Sequence, residues 1–111
     1  MARIVIANLF KKQIEVENLS KSLLQHFHDH RLDWMHSCGA KGRCTSCKAI
    51  ILKGAENIVP LTPAELRYKS IRLLSDNERL CCQARITGDV ELAAPEEYKL
   101  PHIQYSDLDG N

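Results

Sequence analysis

The chain opens on an Ile- and Val-rich run from Arg3 to Ala7, and Gln13 to Glu17 (Gln-Ile-Glu-Val-Glu) then alternates apolar and polar side chains with a period of two. That alternation is the mark of a strand with one buried face. With a turn marked by Lys11-Lys12, residues 2 to 17 predict a β-hairpin. Leu19, Leu23 and Phe27 recur every four residues and predict the buried stripe of a helix. Ser20 is its expected N-cap, Leu19 and Leu24 are placed as a hydrophobic staple, and its end is expected near Arg31. Lys48 to Lys53 is a short apolar run stopped by Gly54, which suits a buried strand.

Thr62-Pro63-Ala64-Glu65 is the clearest helix start in the chain. Thr62 can cap, Pro63 fits the first helical position, and Glu65 completes a capping box. The pattern does not fix where this helix ends, because Ile71, Leu73 and Leu74 share no single stripe. Leu80 to Ile86 and Val90 to Ala93 predict two last strands around Thr87-Gly88-Asp89, and the segment from Pro95 to Asn111 is irregular. The order ββ, α, loop, β, α, ββ mixes strands and helices without strict βαβ alternation, so the fold class is α+β. Residues 1–95 are expected to form one domain and 96–111 an irregular C-terminal tail. The segment from Leu32 to Cys47 has no element of its own, and a loop of that length in a small domain usually has a functional reason.

The chain has 111 residues, enough for one domain. Fifteen Lys+Arg against fourteen Asp+Glu give a formal charge of +1. That argues against a nucleic-acid binder, which normally carries a clear positive excess. No apolar run approaches the roughly 20 residues of a membrane span. Met1 to Phe10 lacks the parts of a signal peptide. A cytoplasmic address, no membrane partner and a monomer are the expectations. In the cytosol the five cysteines should stay reduced or bind metal.

Three of those cysteines lie in the long loop, Cys38-Gly39-Ala40-Lys41-Gly42-Arg43-Cys44-Thr45-Ser46-Cys47, and an adjacent pair sits at Cys81-Cys82. Cys44 and Cys47, with two residues between them, can turn inward together on a metal centre. Gly39 and Gly42 let the backbone approach anionic sulfur, and Thr45 and Ser46 can add hydroxyl donors. A zinc ribbon normally needs a second C-x2-C knuckle. A thioredoxin-like pair would open a helix, whereas this one leads into an expected strand. A Rieske centre needs two histidines, and only His36 stands near Cys38. Three clustered thiolates plus a distant one is the pattern of a [2Fe–2S] centre, and it is the pattern present.

The cysteine loop, together with Arg79-Leu80-Cys81-Cys82-Gln83, resembles the [2Fe–2S] ferredoxins from the first hairpin to about Pro95. The spacing from Cys38 to Cys44 departs from the C-x4-C of plant-type members. It is similar to adrenodoxin-type ferredoxins and to ferredoxin-like domains with a C-G-x-x-G-x-C-x-x-C loop. The resemblance implies a β-grasp fold, a mixed sheet packed on a helix, with one [2Fe–2S] cluster held by Cys38, Cys44, Cys47 and Cys82. Cys38 and Cys44 would hold one iron, Cys47 and Cys82 the other. The fourth ligand of the family directly precedes Gln, which selects Cys82. If Cys81 and Cys82 share a strand they point to opposite faces, and Cys81 then reads as a small buried apolar side chain.

The resemblance implies a soluble one-electron carrier, not an enzyme, working between a ferredoxin reductase and a redox acceptor protein. An iron–sulfur redox sensor and a zinc- or thiol-based interaction module on the same scaffold are the rival functions. Trp34 can shield the cluster or simply fill the core, and His36 reads as a surface histidine. Lys41 and Arg43 are contacts for a partner, aids to reduction, or plain surface charge. His26, His28 and His30 on the first helix read as a solvated polar face, although His26 and His30 share one side. The acidic docking helix of adrenodoxin-type proteins is not carried over, since the corresponding region contains Arg67, Lys69 and Arg72; acidic residues stand instead at Asp76, Glu78, Glu96 and Glu97.

Overall fold

The computed structural model describes residues 2–34, 47–96 and 99–107. Five strands, β1 (Ala2–Ile6), β2 (Lys12–Val16), β3 (Lys48–Lys53), β4 (Glu78–Leu80) and β5 (Val90–Ala93), form one sheet in the order β2-β1-β5-β3-β4. The first hairpin is antiparallel, with Ala2 opposite Val16 and Ile6 opposite Lys12. β1 pairs with β5 in parallel, and β3 runs antiparallel to both β5 and β4. A mixed sheet of this order, packed on one helix, is the β-grasp arrangement, and the α+β expectation holds.

The period-two reading of the hairpin is correct. Ile14 and Val16 are buried while Gln13 and Glu15 are exposed, and β1 buries Ala2, Ile4 and Ile6. Across this face lies α1 (Leu23–Asp29), whose Leu23, Leu24 and Phe27 fill the core. Burying a side chain of that size is worth about 1.5–3 kcal/mol. The cap of α1 is Ser22 and not Ser20: Ser22 Oγ accepts from Gln25 N–H, and the Gln25 side chain accepts from Ser22 N–H. Ser20 instead bonds Asn18. The helix stops at Asp29, short of Arg31, whose backbone is left-handed (φ 58°).

β3 has the predicted limits. It ends at Gly54, where φ is +83° and an added Cβ would lie 2.3 Å from Asp89 O, so only glycine fits the turn. α2 (Pro63–Ser70) begins with the predicted capping box, Thr62 accepting from Glu65 N–H and Glu65 from Thr62 N–H. The strand expected from Leu80 to Ile86 is not continuous. β4 ends at Leu80, Cys81 to Gln83 form a turn closed by Gln83 N–H and Ala84 N–H on Leu80 O, and Ile86 makes only an isolated bridge to Ile58. The last described segment, residues 99–107, has no helix or strand and is docked on the first hairpin. Ser106 bonds Ala7, Asn8 and Phe10 in the first hairpin turn, where Phe10 and Lys11 both hold positive φ.

Candidate metal centre

Cys47 immediately precedes β3 and Cys82 follows β4. The register of those strands, Lys48 opposite Leu80, brings together two cysteines far apart in the chain. Cys81 N–H donates to Cys47 O at 3.2 Å, continuing the ladder past its last paired residues. The two thiols of Cys47 and Cys82 lie within hydrogen-bonding reach of each other. That bond, then burial, then the nearby Cys81 push the Cys47 thiol well above the usual range. Two soft donors side by side and buried fit a metal that displaces thiol protons on binding.

Other groups fix the backbone around the pair. Trp34 Nε1–H donates to Cys47 O at 3.1 Å while its ring packs on Phe27, centroids 4.6 Å apart. Trp34 is thus a core aromatic that also anchors a cysteine. On the Cys82 side, Gln83 Nε2 lies 3.7 Å from Cys82 Sγ, an amide donor for the sulfur. The first amides of α1, which no helix satisfies internally, are also used here. Leu24 N–H donates to Cys81 O and Leu23 N–H to Ala84 O, both at 2.9 Å. These bonds explain why the helix starts at Leu23.

A buried ion pair completes the support. Glu65, with no exposed surface, takes Arg79 in a fork, Nε to Oε2 at 2.7 Å and Nη2 to Oε1 at 2.9 Å. The same carboxylate accepts Leu80 N–H at 3.0 Å, and Arg79 Nη1 donates to Val59 O at 2.8 Å. The sequence marked Glu65 as a capping residue and Arg79 as part of the cysteine motif. Their pairing across fourteen positions leaves no local signal, beyond an arginine placed just before the Cys81-Cys82 pair.

Of the four expected ligands, Cys47 and Cys82 are brought together, while Cys38 and Cys44 lie outside the described residues, as do His36, Lys41 and Arg43. Among the described residues no group of three metal-ligating side chains converges. The adjacent pair is sorted by a turn and not by strand alternation, which corrects the reason given for it. Cys81 is fully buried in the core, its thiol pushed up by burial and then by Cys82 and Glu65. Cys82 lines a cavity of about 430 Å³ with Ser22, Gln25, Val59, Thr62, Gln83 and Arg85. His28 and His30 are exposed, but His26 is buried with Nε2 unpartnered, so the helix face is not uniformly solvated. Asp76 and Glu78 are not free acidic groups either, since they pair with Lys69 and Lys48.

Residues 7–87 match the family described as a 2Fe-2S iron-sulfur cluster binding domain. The chain is 34% identical over 103 residues to 2Fe-2S ferredoxin-5 of Aquifex aeolicus, covering 86% of this chain and all of that protein. It is 37% identical over 65 residues to chlorosome protein I of Chlorobaculum tepidum, covering 56% of this chain but only 27% of that protein. Among solved structures it is similar to the ISC-like [2Fe-2S] ferredoxin FdxB of Pseudomonas putida. That likeness has a TM-score of 0.74 at 25% identity, over 92% of this chain and 98% of the other.

Proposed function

This chain belongs to the 2Fe-2S iron-sulfur cluster binding domain family, and from that premise we propose that it shuttles single electrons between a reductase and an acceptor protein, without being an enzyme itself. Its cofactor is a single [2Fe–2S] cluster, and it is an iron–sulfur electron carrier. The ligand set of the proposal is Cys38, Cys44, Cys47 and Cys82. The observation that carries it is the approach of Cys47 and Cys82 across the β3–β4 register, with Gln83 and Trp34 fixing their surroundings.

Held by these residues, a [2Fe–2S] cluster would supply one-electron chemistry, and its reduction would add one negative charge to a buried site. The residues make that change tolerable in three ways. Gln83 directs an amide at Cys82 Sγ, and such donors stabilise anionic sulfur. Core packing around Cys47 limits water. The Glu65–Arg79–Leu80 network holds the ligand turn rigid, so little need rearrange when charge is added. No helix among the described residues is long and apolar enough to cross a membrane, and a cytoplasmic monomer belongs to this reading.

Purified protein should contain about two irons and two acid-labile sulfides per chain. Redox titration followed by EPR should show one single-electron step, from about −400 mV to moderately higher values. One zinc per chain without labile sulfide would refute the iron–sulfur carrier reading. A cluster that cycles but passes no electron from any reductase to any acceptor would favour a sensor instead.

A further inference from the structure

Of the five large apolar side chains exposed on the described surface, three lie in one short segment: Leu66, Ile71 and Leu73, at 52%, 57% and 52% exposure. α2 turns Glu65 inward and packs Tyr68 on the core, which leaves Leu66, Arg67 and Ser70 on its outer side. Charge is arranged on the same stretch with a clear bias. From Thr62 to Arg85 there are three carboxylates, and each is held by a cation: Glu65 by Arg79 at 2.7 Å, Asp76 by Lys69 at 3.1 Å, Glu78 by Lys48 at 3.3 Å. Arg67, Arg72 and Arg85 are exposed and make no ion pair among the described residues. Arg72 keeps its place despite a left-handed backbone, φ 65°, which a glycine would adopt with less strain.

This surface runs into the site. Arg85 and Thr62 line the same cavity as Cys82, and Leu66 N–H donates to Thr62 O at 2.9 Å, one helical turn further out. We propose that the outer face of α2 and the turn after it, bounded by Arg67, Arg72 and Arg85, docks an acidic redox protein with an apolar centre. The inference rests on the electron-carrier reading and adds the chemistry of the partner. Exposed Leu and Ile set among arginines match the composition of protein interfaces, and unpaired cations steer an oppositely charged surface toward them. Continuity with the mouth at Cys82 favours a protein over an anionic bilayer, whose headgroups accept no electron.

The test uses the reduced holoprotein, with cluster content first measured by visible absorbance and EPR. Two oxidants are compared by stopped flow at low and high salt. One is cytochrome c, which is basic; the other is the same protein succinylated, so that its lysines carry carboxylates. The wild-type chain should prefer the succinylated oxidant, and the preference should shrink with salt. Arg67→Glu with Arg72→Glu should lower that preference about tenfold or more at low salt, with cluster content unchanged. Leu66→Ser with Leu73→Ser should slow the succinylated oxidant at both salt concentrations. Unchanged rates in the charge-reversed variant, or a wild-type preference for the native oxidant, would overturn the docking face. So would sedimentation of the wild-type protein with phosphatidylglycerol vesicles, or self-association abolished by the Leu substitutions. A protein without labile sulfide would overturn the carrier reading itself, which the first measurement detects separately.

Discussion

Arg79→Met removes one half of the buried ion pair beside the turn of Cys81 to Gln83. Glu65 has no exposed side-chain surface and Arg79 only 11%, so water cannot replace the lost partner. Breaking a buried pair from one side costs about 3–5 kcal/mol, because a charge is left uncompensated. Against a total stability of about 5–15 kcal/mol this is a large fraction. At about 4 °C per kcal/mol for a domain near this size, the unfolding midpoint should fall by about 12–20 °C. Glu65→Gln should cost a similar amount for a second reason. One carboxylate now accepts from Arg79, Leu80 N–H and Thr62 N–H, and an amide must turn its own NH2 toward one of these donors. The double variant should lose clearly less than the sum of the two, since it leaves no unpaired buried charge. The assay is thermal unfolding of the holoprotein without oxygen at one scan rate, followed by far-UV and visible circular dichroism together. Singles within about 1 kcal/mol of wild type, or a strictly additive double, would refute the assignment of this pair as the support of that turn.

Cys82→Ser should lose the cluster or hold it poorly, because a hard oxygen replaces a soft sulfur, while Cys81→Ala should keep it; absorbance per chain and EPR of the reduced state compare the two. His26 is buried with an unpartnered Nε2, and burial lowers its pKa below 6.5, so the unfolded chain binds a proton at higher pH than the folded one. Its contribution is therefore fully present above about pH 6.5 and lost as pH falls from there toward the lower folded value; His26→Leu should flatten the stability profile in that window, and an unaltered slope would show that another group sets it. Ser106→Ala strips the partner from Phe10 N–H in a strained turn and should cost about 1–3 kcal/mol in urea unfolding, with the cluster spectrum unchanged.

Where information is local, the sequence was sufficient. Period-two alternation located the hairpin, the apolar run ended by Gly54 located β3, and the Thr62–Glu65 box located the start of α2, because each depends on residues within a few positions of one another. The family was legible for a similar reason, as its cysteine pattern is written in residue types and gaps. What failed was decided by partners far along the chain. The cap of α1 is the exception, since the Ser22–Gln25 box is as local as the Thr62–Glu65 one and the choice of Ser20 passed over it. Leu23 and Leu24 add long-range bonds there, donating to the carbonyls of Ala84 and Cys81. Leu80 to Ile86 has the composition of a strand, but the backbone turns after Leu80, with that residue's carbonyl accepting from Gln83 and Ala84. That turn, and not alternation, separates a core cysteine from one beside Cys47. The burial of His26, the pairing of Glu65 with Arg79 and the docking of Ser106 on the first hairpin turn are of the same kind. Each is a hydrogen-bonding or desolvation balance struck between segments that only the closed sheet brings into contact, so no window of neighbouring residues contains both sides of it.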